Sequence, residues 1–533
     1  RLDLDADVNT YLDFRIPAYD GRPVTLRNLM THTPGFEETV KNLFSTDPKQ
    51  LDTLGGALKS SLPARVFPPG EVPAYSNYGA ALAGYIVERV SGEPFADYVR
   101  HHIFAPLHMD HSTFEQPLPK ALTVTMSKGY DMASGKSQPY ELIPMSPAGA
   151  LAATGDDMAK FMLAHLQNGQ YAGARILRPE TATLMHGLAY QHMPPLPGIA
   201  YGFYHEDRNG HDIIGHGGDT LWFHSDLHLI LDAGVGVFIS QNSVGKPSTV
   251  LRGPFFKSFL DRYFPAQPLA AEPTSKSAKA DAARIAGEYG SSRGSFTNLL
   301  AVGNDFEQMK VTANADGTIS AAGLTDASGT PRKFREIAPL IWREVHGQLL
   351  LVAKAEDGKV TEIESNAFPQ IMTLRRSAWW QAGMAREIAF GCMLAILLLG
   401  VIFWPLKAIL RWNYGARFAL KGRARRLYRT TRVAALLDIA FWGGLLGWFT
   451  YALNNHLEIL STHYDWVLRG LQVVGFLGAL GAVAAIANVV VAFTDGQHRS
   501  WWTRGGDILL ALACTLSAML AISDHVLTTS LKY

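Results

Sequence analysis

Beyond residue 387 the chain turns into four long apolar runs, about 388–406, 433–453, 471–493 and 508–527. Such runs have few places to go. A helix rises about 1.5 Å per residue, so about 20 apolar residues cross a bilayer core of about 30 Å. The first three runs meet that length, and the fourth is weaker, with Asp524 and His525 near its end. Trp379-Trp380, Trp404, Trp412, Trp448, Tyr451 and Trp501-Trp502 flank the runs, as amphipathic rings do at headgroup level. The spacing predicts a four-helix transmembrane region over 386–527, with the lipid bilayer as a partner.

The loops between the runs predict an orientation. Arg411, Arg417, Lys421, Arg423, Arg425, Arg426, Arg429 and Arg432 lie between the first two, with no acid among them. The next connection has Arg469 beside Glu458 and Asp465, and the third has Arg499 and Arg504 beside Asp495 and Asp507. Lysine and arginine mark the cytoplasmic side, which places the basic loop 410–432 in the cytoplasm and the large N-terminal part outside. Asp438, Gln472 and Asn488 fall inside the runs and are expected to pack helix against helix rather than to carry transport.

Composition matters here for what it excludes. The 533 residues carry a net charge of +1, so no nucleic-acid partner is expected. Cys392 and Cys514 are the two cysteines, both in apolar runs; the rest of the chain can form neither a disulfide nor a thiolate metal site. The chain opens at Arg1, inside a patterned segment and without a signal peptide.

Residues 1–264 read as one α/β unit. Leu82, Ile86 and Val90 recur at helical spacing over Tyr78–Ser91, with Gly92 as a stop signal. Further helices are expected at Thr25–Thr31 and Gly155–Gln167. Phe223–Leu231 and Val235–Ser240 flank Asp232-Ala233-Gly234 and predict an antiparallel hairpin. Residues 265–283 are rich in Pro, Ala, Ser and Lys and read as a linker. Residues 284–377 predict a small all-β domain, with Asp316-Gly317 and Asp357-Gly358 as its clearest turns.

Two motifs carry chemistry. Tyr75-Ser76-Asn77 precedes a helix, and His216-Gly217-Gly218 follows the apolar Ile213-Ile214. Around them stand Leu2–Val8, Leu29-Met30-Thr31-His32-Thr33-Pro34-Gly35, Pro147-Ala148-Gly149 and Thr154–Met158. In this order the set resembles the serine β-lactamase, penicillin-binding protein and esterase family, over Leu2 to Phe264. That family orders S-x-x-K, then Y-x-N, then K-T-G or H-x-G. The resemblance implies an α/β (α+β) fold with an antiparallel sheet and a lipocalin-like barrel for the all-β domain. It implies an acyl-enzyme mechanism on peptide, ester or amide substrates, D-amino-acid or cell-wall compounds among them, with no cofactor. It further implies Tyr75 as the group that exchanges protons with the nucleophile, Asn77 as an orienting amide, and His216 at the substrate strand. Gly217, Gly218 and Asp219 would line that strand, a main-chain N–H near Asp219 being one oxyanion donor. A tyrosine, with an ordinary pKa of about 10, acts as a base only where nearby cations favour the phenolate.

The chain departs from the family twice. No S-x-x-K precedes Tyr75, and Ser243-Val244-Gly245-Lys246 comes after His216 and reads as chance. Leu2–Val8 resembles the family's segment just after the nucleophile helix, so the serine and lysine are expected before Arg1, and the chain as written is expected to be inactive. His216 replaces a lysine, and imidazole is mostly neutral at neutral pH. This favours esterase, amidase or D-amino-acid peptidase relatives.

Rival signals exist. Gly290-Ser291-Ser292-Arg293-Gly294 fits G-x-S-x-G, with His346 downstream, but a linker precedes it and β-type sequence comes after it, which the nucleophile elbow forbids. His205, His211, His216, His224 and His228 crowd one stretch without a zinc signature, and no metal is expected. Tyr75 could instead be a packed ring, with Asn77 as a helix N-cap. Two functions remain: a serine hydrolase at the periplasmic or extracellular face of a bacterial inner membrane, acting on a small molecule or peptide, or a non-catalytic sensor that binds peptidoglycan or a β-lactam and signals through the membrane helices.

Overall fold

The computed structural model describes residues 2–245, 251–268, 274–305, 307–326, 328–454, 460–497 and 499–533. The chain divides into two compact units. One comprises Arg1–Gly294 with Met309–Arg376, the other Ser295–Gln308 with Ser377–Tyr533.

In the first unit, α1 (Leu26–Met30) opens on a capping box in which Thr25 and Asn28 bond each other's backbone N–H. Helix α2 (Asn77–Ser91) is capped by the Ser76 hydroxyl, which accepts from Gly79 N–H, and ends at Gly92 with φ 77. The cap is therefore Ser76, not Asn77. Tyr78, Leu82 and Ile86 are buried against Leu29, Phe36 and Leu58, whereas Val90, in the last turn, is exposed. Helix α3 (Gly155–Leu166) is capped by Thr154.

A four-stranded antiparallel sheet comes next, in chain order: β1 (Tyr204–His205), β2 (Ile213–Asp219), β3 (His224–Ile230) and β4 (Val235–Gln241). The β3–β4 hairpin lies where the sequence places it, its turn using Gly234 at φ 65. Side chains alternate across the sheet. Ile214, Leu227 and Leu229 pack with Met162 of α3, while Ile213, Ile230 and Val237 pack with Phe256 and Leu260 of α4 (Arg252–Tyr263). Both faces are thus covered, and the exposed end of β2 is left for the site.

The stretch read as a linker is partly ordered. Residues 278–283 begin α5 (Ala278–Ile285), and 269–273 lie outside the described residues. Eight strands then close a barrel: β5 (Gly287–Ser291), β6 (Met309–Ala313), β7 (Ile319–Thr325), β8 (Pro331–Ala338), β9 (Ile341–Glu344), β10 (Leu350–Glu356), β11 (Lys359–Ser365) and β12 (Leu374–Arg376). Each pairs antiparallel with the next, and β12 pairs back onto β5 through Leu374–Ser291 and Arg376–Tyr289. Asp357 and Gly358 both adopt positive φ, the backbone a two-residue hairpin needs. Tyr289, Phe334 and Trp342 fill the interior, and Ala282 and Ile285 of α5 pack into the same core.

The second unit holds four helices long and apolar enough to cross a membrane: α6 (Gly383–Asn413), α7 (Gly422–Asn454), α8 (Asp465–Thr494) and α9 (Trp501–Ser523). The fourth run is stronger than its sequence suggests, because α9 starts earlier and stops before Asp524. Two supposed loop residues also move inward. Arg432 lies on α7 and Asp507 on α9, where the Asp507 carboxylate pairs with Arg432 (2.7 Å) and Arg499 (2.8 Å), all three buried. The expected helix-to-helix packing is seen at Asp438, whereas Gln472 and Asn488 bond to the segments on either side of α9, at Val526 and Arg499. Asp438 fits against Gly478, where a Cβ would come within 2.4 Å of its carboxylate, and Asn488 accepts from Arg499. Gly475, Gly478 and Gly481 let α7 and α8 approach closely.

Candidate active site

Two loops cross to present Tyr75. The first, His32–Gly35, lies just after α1; the second, Phe67–Gly70, precedes the tyrosine. Val66 N–H donates to the Gly35 carbonyl and Gly70 N–H to the Thr33 carbonyl, both at 2.8 Å. Gly35 has φ +80, and a Cβ there would lie 2.0 Å from the Phe67 carbonyl oxygen, so the crossing demands glycine. Ala74 N–H then donates to the His32 carbonyl (2.8 Å), and Ser76 N–H to His32 Nδ1 (3.4 Å). The segment is therefore anchored on both sides of Tyr75, immediately before α2 begins with Asn77.

The sequence-predicted residues converge here. The Tyr75 and His216 rings lie 6.1 Å apart, centroid to centroid. Tyr204, from β1, packs 5.2 Å from His216, and its hydroxyl accepts from Gly217 N–H at 2.5 Å. That N–H is thus occupied by the Tyr204 hydroxyl. A Cβ on Gly217 would meet the Asp226 carboxylate at 2.8 Å, whereas one on Gly218 would meet open space. Asp219 is engaged by His224 (2.6 Å) and Arg252 (2.7 Å). Burial acts to raise its pKa, but these two partners hold it below the ordinary carboxylate value.

The charge at the site has a source absent from both motifs. Burial lowers the pKa of His216. Its Nδ1–H donates to the Gly217 carbonyl at 2.6 Å, a bond that acts to raise the pKa and is outweighed by burial. His32, its ring tilted against Tyr75 at 4.2 Å, is pushed down to about 3 by burial, with His216 and Arg293 adding to the shift. Neither imidazole supplies a cation. Arg293 does: its guanidinium carbon lies 4.7 Å from the centre of the Tyr75 ring, and its Nε donates to Glu38 at 2.7 Å. Burial raises the Tyr75 pKa above its ordinary value; Arg293 opposes this, while Glu38 and Asp219 reinforce it. Both His32 and Arg293 escape sequence reasoning as site residues. His32 stands in a stretch that resembles the family, but serves there only as a marker; Arg293 stands inside the discarded G-x-S-x-G pattern.

Residues 1–255 match the family model described as Beta-lactamase. This part of the chain belongs to that family. Among similar proteins, PbpX of Bacillus subtilis (strain 168) is 31% identical over 32% of this chain and 42% of its own length. Penicillin-binding protein 4 of Amycolatopsis lactamdurans is 25% identical over 50% of this chain and 72% of its own. D-alanyl-D-alanine-carboxypeptidase/endopeptidase AmpH of Escherichia coli (strain K12) is 25% identical over 33% of this chain and 44% of its own. The chain thus spans less than half the length of PbpX and of AmpH.

Within the β-lactamase-family part and its barrel, the rival signals have structural accounts. Ser292, the centre of G-x-S-x-G, is buried; its hydroxyl donates to the Pro73 carbonyl (2.5 Å) and accepts from Thr373 N–H (2.9 Å). It ties the barrel to the Tyr75 segment, and it stands in a turn rather than before a helix. Ser243 bridges to Tyr130, while Lys246 lies outside the described residues. The histidines pair one by one with acids: His211 with Asp232, His224 with Asp219, His228 with Glu206. His205, Asp207 and Asp212 bring ligand atoms within 4.8 Å of one another beside a cavity of about 640 Å³. His205 Nε2 has no hydrogen-bond partner among the described residues, whereas metal-bound imidazoles tie down their second nitrogen.

Proposed function

We propose that this chain is the body of a membrane-anchored serine hydrolase that works through an acyl-enzyme on peptide, ester or amide substrates. D-alanine-type cell-wall peptides are the favoured class, in keeping with what AmpH is named for. The observation that carries the reading is the meeting of Tyr75 and His216, from two ordered family motifs, beside the strand that opens at Gly218. A serine and lysine of an S-x-x-K turn, which the family places ahead of a stretch like Leu2–Val8, would complete the cleft. Tyr75 would then take the serine proton and return it to the leaving group. Asn77 would orient the lysine, and the strand ending at Asp219 would hold the substrate and contribute to the oxyanion site. The basic loop favours a cytoplasmic side for the α6–α7 connection, and with it a periplasmic or extracellular hydrolase.

The test is covalent labelling of the full-length gene product with a fluorophosphonate and with a labelled penicillin. A serine adduct within S-x-x-K is expected, and Tyr75→Phe should slow labelling by about 10²-fold or more. Labelling that Tyr75→Phe leaves untouched overturns the assignment. Reversible ligand binding without any adduct favours the sensor instead.

A further inference from the structure

A tyrosine base is favoured by nearby cations; on the β2 side of the cleft Arg252 is held by Asp219 and Asp226, and residues 1–264 put no cation over the Tyr75 ring among the described residues. The groups that face it there are His32 from the loop after α1, His216 and Asp219 from β2, Tyr204 from β1, and Glu38. Two are neutral imidazoles, one a phenol and two carboxylates. The remaining neighbour arrives from another module. The turn after β5 carries Arg293 over the Tyr75 ring, and one contact from that turn and two from the segment before β12 hold the barrel there. Ser292 bonds the Pro73 carbonyl, Tyr75 N–H donates to the Ile371 carbonyl (2.9 Å), and Ala74 bridges to Met372. Glu38 closes the arrangement: its N–H donates to the Gly294 carbonyl (2.9 Å), and its carboxylate accepts from Arg293. The barrel is thus bonded to the backbone on the N-terminal side of Tyr75 while its arginine stacks on the side chain.

We propose that Arg293 is a positioning residue of the hydrolase: from the barrel it pins the Tyr75 ring and supplies the fixed positive charge that supports a Tyr75 phenolate, which the neutral His216 cannot give. This rests on the hydrolase reading above, since it assigns Tyr75 its proton-transfer role. A guanidinium keeps its charge at every pH the enzyme meets and lies flat on an aromatic face, so it serves both ends at once. Glu38 sets its place and tempers its charge. The barrel then has a function: the hydrolase site is finished by a residue of the second module.

Two readouts on the full-length protein test this. The first is alkaline titration of the phenolate absorbance that Tyr75→Phe removes, which needs no turnover. The second is the pH profile of probe acylation. With Arg293→Ala the Tyr75 titration and the rising limb of acylation should both move up by about one pH unit, a loss of about tenfold at neutral pH. Arg293→Lys should restore most of it. Glu38→Gln keeps the cation and removes its counter-charge, so both curves should stay in place or move down. If the arginine merely anchored the barrel, Glu38→Gln would be as harmful as Arg293→Ala, and that result overturns the proposal. So does an Arg293→Ala titration that matches wild type. Wild-type protein that never acylates, yet shows the titration shift, sinks the hydrolase reading and leaves only the electrostatic contact.

Discussion

Tyr75 owes its place to a glycine far from any chemistry. At Gly35 the left-handed backbone and the carbonyl of Phe67 both exclude a side chain. Gly35→Ala should therefore cost about 2 kcal/mol or more, and with it the His32–Tyr75 ring contact. Gly218→Ala, facing open space, should stay within about 0.5 kcal/mol. Thermal unfolding of the two variants, together with probe labelling, separates them; equal losses would refute the account of the loop crossing. At this scale the sequence is legible where chemistry is written as a motif, as with Tyr75, His216 and the two glycines. Arg293 is not legible, because its significance lies in a neighbour more than two hundred positions away, and a short pattern around it points to a different chemistry.

The elements were readable from local rules, and their errors have local causes. Spacing and Gly92 mark the helix that carries Tyr78, Leu82 and Ile86; the cap falls on Ser76 because its hydroxyl reaches the Gly79 N–H. The basic stretch before the second apolar run reads as a loop, yet arginines are good helix formers, and α7 begins at Gly422. The β10–β11 hairpin was legible in Asp357-Gly358, but its buried acid was not. Glu364 on β11 is 4% exposed, and burial, opposed by Thr373 and reinforced by Glu362, pushes its pKa up to about 8 from an ordinary 4.5. Between those values the folded barrel keeps a proton that the unfolded chain has released. The native state then binds more protons, so stability falls as pH rises from 4.5 to about 8. Glu362 contributes in a separate, more acidic window, because its pKa is lowered: burial acts to raise it, and His192 outweighs that. Glu364→Gln should flatten the decline and raise Tm at pH 8, which scanning calorimetry between pH 5 and 8 would show. An unchanged slope would mean the proton is held elsewhere.

For the whole molecule, sequence patterning separated a mixed half from an apolar one but drew the divisions differently from the structure. The α/β part and the barrel were expected as successive domains, and they form one compact unit, since Ser292, Ile371 and Met372 bond across to residues 73–75. Such bonds join segments with no periodicity in common, so no window along the chain reports them. If the four apolar helices cross a membrane as proposed, 414–421 and the segment before α8 fall on opposite sides. In a background lacking Cys392 and Cys514, an impermeant maleimide added outside cells should label His463→Cys and spare Arg417→Cys. The reverse pattern would invert the proposed orientation.

The closing of the barrel by its last strand on its first also sets a timetable. Ribosomes deliver the chain from its N-terminus, so Tyr75 and His216 emerge long before Arg376, the residue that seals the ring against Tyr289. Until that strand has been made, the turn bearing Ser292 and Arg293 lacks the support of its closing neighbour. Synthesis then reaches α6, the first of the four long apolar helices, within a few residues. The turn that sets Arg293 over Tyr75 is thereby completed only as the first apolar helix is being made.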